Sequence, residues 1–106
     1  MAEGQINVLT AKTLMDELHV DESPEELLTI QSLINDASVI IRGSIRDDLS
    51  EEDVLKTAGD LFNRLISALA TQMYYDRTLT TGYSAGVQIM LNQLRAKVLG
   101  GQDETI

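Results

Sequence analysis

The chain has 106 residues, no cysteine, and 17 acids against 8 bases, a formal net charge of −9. That length suits one domain, and the missing thiols exclude disulfides, thiolate nucleophiles and cysteine-based zinc sites. Apolar residues at 43% and charged residues at 24% fit a globular chain, while the acidity argues against gripping duplex DNA, which takes several Lys or Arg set against phosphates.

The opening Met1-Ala2-Glu3-Gly4-Gln5 shows no basic region followed by an apolar run, and no 18-residue apolar stretch follows, so cytoplasmic synthesis without a membrane span is the expectation. Ile6-Asn7-Val8-Leu9 has the character of one short strand, whose pairing partner would have to belong to a neighbouring copy. Thr10 is then an N-cap for a short helix carrying Ala11, Leu14, Met15 and Leu18 and ending near His19-Val20.

The second helix is announced by Ser23 as N-cap, Pro24 at the first helical position and Glu26 in the capping-box position. Leu27, Ile30, Ile34, Ala37 and Ile41 form its apolar stripe, widened by Leu33 and Ile40. Arg42-Gly43 reads as its end, a basic last turn followed by a C-cap glycine, with Gly43 to Leu49 as a polar linker. Ser50 starts the third helix, with Asp53 in the box position and Leu49 and Val54 as a hydrophobic staple.

Leu55, Ala58, Phe62, Leu65, Leu69 and Met73 share one face of that helix, widened by Leu61, Ile66, Ala70 and Tyr74. At nearly thirty residues, about 40 Å long, it exceeds what a chain this size can cover, leaving part of it for another subunit. The connection Leu79 to Ser84 leads to a fourth helix from Ala85 to Val98, with Val87, Met90, Leu91, Leu94 and Val98 on one side. The expectation is an all-α domain over residues 1–99, a bundle of about four helices, two of them long, with residues 100–106 as a mobile tail.

No element carries a catalytic constellation. His19, the one histidine, stands beside Glu17 and Asp21 without a pocket or positioned partner, so it reads as an exposed helix-end residue. The acids Asp47, Asp48, Glu51, Glu52 and Asp53 lack the central glycine of a calcium loop, and helix-start acids explain them. Gly82 and Gly86 lead into a helix but lack the following Lys-Ser or Lys-Thr of a phosphate cradle. Tyr74, Tyr75 and Tyr83 with Arg77 have the makings of a base-stacking platform; in so acidic a chain they read as closing the end of the core, hydroxyls turned to water or a backbone carbonyl. No cofactor or metal is expected.

Three stretches carry a family resemblance. A short helix passes through an acidic turn to a long one, Leu14 to Asp21 and then Glu26 to Ala37. A long apolar helix closes with an aromatic pair and an arginine, Ala68 to Tyr74-Tyr75-Asp76-Arg77. A turn then leads to Gly86-Val87-Gln88 and the run from Leu91 to Leu94-Arg95. In order and spacing, over about residues 9–97, the chain resembles the head-tail connector (head-completion adaptor) proteins of long-tailed double-stranded DNA phages. It departs from them before the last helix, where Ser84-Ala85 stands in place of a frequent proline, and in the short charged connection between its long helices.

The resemblance implies a structural virion protein without enzymatic activity. It implies a ring of about twelve copies that docks on the portal protein and offers a surface to the next connector or the tail, each subunit meeting its neighbour through two different patches. DNA would pass through without specific binding, which a wall without attraction for the duplex suits. Residues 1–60 carry fourteen acids and four bases, and residues 61–106 three acids and four bases. The acidic half of one subunit is therefore expected against the later half of the next, so that reversing Arg64, Arg77 or Arg95 to Glu weakens the ring more at low salt than at high. Interaction residues expected on these grounds are Arg64, Tyr74, Tyr75, Arg77, Val87, Leu91 and Arg95. The alternative is an acidic helical interaction module, a small regulator or DNA mimic that binds a basic protein.

Overall fold

Each helix starts where a hydroxyl side chain takes up an orphan backbone N–H. In the computed structural model, which describes residues 7–76, 78–79 and 82–100, the Thr10, Ser23 and Ser50 oxygens accept from the backbone N–H of Thr13, Glu26 and Asp53. Ser84 Oγ accepts from Val87 N–H at 3.2 Å in the same way. The helices that follow are α1 (Ala11–Leu18), α2 (Pro24–Ile45), α3 (Glu51–Tyr75) and α4 (Ala85–Gly100). The chain is thus all-helical, with four helices and no strand among the described residues.

Several local expectations change. The capping box at Ser23 is half made: the Glu26 carboxylate accepts from the Tyr74 hydroxyl at 3.3 Å. Gly43 does not end α2, which runs on through Ser44 to Ile45 with Arg46 as an extended C-cap. The half-buried Ile45 packs against the core, and its burial favours an extra turn that glycine propensity alone disfavours. Asn7 to Leu9 form no strand, Ile6 lying outside the described residues. Their backbone is paired all the same: Leu9 N–H donates to Asn63 Oδ1 at 3.0 Å, and Asn63 Nδ2 donates to the Asn7 carbonyl at 2.8 Å. One side-chain amide on α3 supplies what a neighbouring strand would.

α3 is interrupted. Ala58 takes non-helical angles (φ −155°, ψ 57°), so the 25-residue element is two helical segments joined at a kink beside the buried Gly59. The first segment is held to α2 by a compact polar cluster. Fully buried Ser38 donates to Glu51 Oε2 at 2.6 Å, Arg42 Nε donates to Ser38 Oγ at 3.1 Å, and Arg42 Nη1 donates to the Leu49 carbonyl at 3.3 Å. The second segment is the spine of the core: Phe62, Leu65, Ile66 and Leu69 are buried between α2 residues Ile30, Ile34, Ala37 and Ile41 and α4 residues Val87, Leu91 and Leu94. Leu14 and Met15 of α1 complete the packing. Truncating such a side chain costs about 2–5 kcal/mol, the term that dominates this fold.

Candidate interaction surface

The seven expected contact residues separate into three groups. Val87 and Leu91 are buried, at 2% and 4% exposure, where α4 meets Ile40, Ile41, Leu65 and Leu69. They are part of the chain's own core, because in so small a bundle α4 uses its apolar stripe to bind α2 and α3. Arg77 lies outside the described residues. The other four are at the surface, in different settings.

Arg95 is engaged within the chain. Its Nη2 donates to the Ser44 carbonyl at 3.1 Å and its Nη1 to Asn92 Oδ1 at 3.3 Å, so it caps the last turn of α2 from α4. Arg64 is exposed and makes no ion pair among the described residues. It borders an open groove of about 350 Å³ between the N-terminal arm, α1, α3 and α4, with Glu17, Asn63, Ser67 and Met90. The Ser67 hydroxyl donates across that groove to Glu17 Oε1 at 3.0 Å.

Tyr74 and Tyr75 meet edge to face, their ring centroids 5.1 Å apart at 87°. Tyr74 is half-buried, and Tyr75 is an exposed aromatic at the end of α3. Burial first, then the Glu26 carboxylate charge and the hydrogen bond to it, then Tyr75, raise the Tyr74 phenol above its ordinary value of 10.0. Tyr83 packs against the core on the far side of the connecting loop. Gln72 braces that loop by donating from Nε2 to the Gly82 carbonyl at 2.6 Å and accepting from Ser84 N–H at 3.0 Å.

A second open groove, about 880 Å³, runs along the kink in α3 and is lined by Leu55, Lys56, Thr57, Leu61, Asp60 and Lys97 among others. It is wide, open and of mixed charge. No cluster of three His, Cys, Asp or Glu among the described residues could hold a metal ion, and no helix there is long and apolar enough to cross a membrane.

A surface that the helical periodicity assigns only by elimination lies on the outer sides of α2 and α4. Leu28 and Val39 stand 74% and 60% exposed on α2, and Ile89 57% exposed on α4. These departures from each helix's buried stripe were legible in the sequence as apolar residues out of phase with their neighbours. Comparison with protein-family models, with curated proteins and with solved structures returns no match.

Proposed function

We propose that this chain is a structural virion component, a head-tail connector that assembles as a ring of about twelve copies, docks on the portal protein and links the DNA-filled head to the tail. The observation that carries the reading is the pairing of a thin helical slab, 49 × 41 × 21 Å, with large apolar side chains left exposed on its two outer helices. Such residues are stabilised by docking against another surface, and a slab offers two separate faces for heterologous contacts. The residue order that resembles the connector family supplies the identity of the partners.

Native mass spectra of the purified protein over a range of concentrations, alone and with a candidate portal, test it. A closed high-order ring, or a monomer that joins the portal at fixed stoichiometry, is the expected outcome. A persistent monomer or dimer that ignores the portal overturns the reading in favour of an acidic module binding a basic partner. The exposed acids at the α2–α3 corner, Asp47, Asp48, Glu52 and Asp53, would then be its contact surface.

A further inference from the structure

We infer that residues 1–6, the segment preceding Asn7, dock on their own chain in the groove along the kink of α3. The inference concerns a single chain and stands whether or not copies assemble. Its starting point is the Asn63 clasp, which holds Leu9 N–H and the Asn7 carbonyl on one side-chain amide. Leu9 borders the groove beside Arg64 and Ser67, and Asn7 borders the one lined by α3 residues from Glu51 to Leu61. The arm thus runs backwards along α3, from its second segment towards its first, and delivers the preceding chain to the kink.

Length and side-chain phase fit this path. From Asn63 back to Glu51, α3 measures about 18 Å at 1.5 Å per residue, and an extended chain from Val8 back to Glu3 covers about 17 Å at 3.3 Å per residue. Side chains of an extended segment alternate, so Ile6 falls on the same side as Val8, which packs against the core. Ile6 is then level with Ala58 and Gly59, between the half-buried Leu55 and Leu61 that also line the groove. Removing this isoleucine and those leucines from water together supplies the driving force.

Charge agrees. Glu3 is the one charged side chain in residues 1–6. Of the groove's acids, Glu51 accepts from Ser38 and Glu52 pairs with Lys56 at 3.9 Å, while Asp60 stands close to the clasp, far from the level of Glu3. Lys97 is exposed at the groove and makes no ion pair among the described residues, which leaves it as the base for Glu3. Attachment at Asn7 also favours the chain's own segment over one from elsewhere, because a short tether gives a millimolar-scale effective concentration. Docked so, the segment lies across both sides of the break at Ala58 and splints it.

The absence of cysteine allows a direct test. A Gln5→Cys, Thr57→Cys protein, oxidised mildly at high dilution, is expected to form an intrachain disulfide several-fold faster than a Gln5→Cys, Arg64→Cys control, since bridging requires close Cα approach. Arg64 is exposed and next to Asn63, so a segment swinging freely from the clasp reaches it at least as often as Thr57. Ile6→Asp or Glu3→Lys in the first protein lowers its rate, and Lys97→Glu restores the rate of the Glu3→Lys variant. Denaturing, non-reducing electrophoresis separates intrachain from interchain bridges. Equal rates in the two cysteine pairs overturn the docking, and bridges to Thr57 that form only between chains overturn the chain's own segment as the occupant.

Discussion

Asn63 and Leu9, 54 positions apart in the chain, are joined by a 3.0 Å hydrogen bond in which a side-chain amide on α3 receives the N–H of an extended segment. The same amide donates to Asn7 two residues earlier, so one residue fixes where the arm leaves the bundle. Asn63→Ala is expected to cost about 1 kcal/mol, roughly a fivefold increase in local opening. Amide hydrogen exchange checks this: Leu9 exchanges faster, while Leu65 in the middle of α3 is unchanged.

Gly43 is helical and exposed, and a methyl group added there meets nothing within 4 Å. Gly43→Ala is therefore expected to stabilise the protein by about 0.5–1 kcal/mol, because alanine loses less backbone entropy in a helix. The check is the midpoint of urea unfolding, which rises at constant m-value. A left-handed C-cap at Gly43 would produce the opposite shift.

Ser38 is buried and bonded to Glu51 and Arg42 at once. Ser38→Ala leaves Glu51 without that donor and is expected to cost about 1–3 kcal/mol. In a double-mutant cycle with Glu51→Ala the two losses are non-additive, by about 0.5 kcal/mol or more.

Tyr74 is held neutral by its surroundings, its folded-state pKa lying above the ordinary 10.0. A phenol with a raised folded pKa contributes stability that is complete below the unfolded value and is lost as pH rises through the folded one. Tyr74→Phe is expected to remove that alkaline component. In a Tyr75→Phe, Tyr83→Phe background, absorbance at the tyrosinate band reports the single phenol, and Glu26→Gln lowers its pKa only part of the way, because burial is the largest cause.

The helix starts were legible in the sequence because a cap is a local event: Thr10, Ser23 and Ser50 each bond a backbone N–H three residues on. The end of α2 was less so. A glycine after an arginine signals a stop only if nothing beyond it gains from burial, and Ile45 does. The Asn63 clasp and the Ser38 cluster join residues far apart or on different helices, which no periodicity encodes. Val87 and Leu91 lie in a pattern that fits a contact face and a core stripe equally well, and the bundle uses that stripe internally.

The break at Ala58 divides the molecule differently from its helices. The first turns of α3 are tied through Glu51 to Ser38 and so belong mechanically with the end of α2, while the rest of α3 belongs with α4. A change of shape imposed from outside would be absorbed inside a helix, at one residue, leaving both rigid halves and their packing intact. The corner that carries Asp47, Asp48 and Glu52 would then tilt as a unit relative to the outer face of α4.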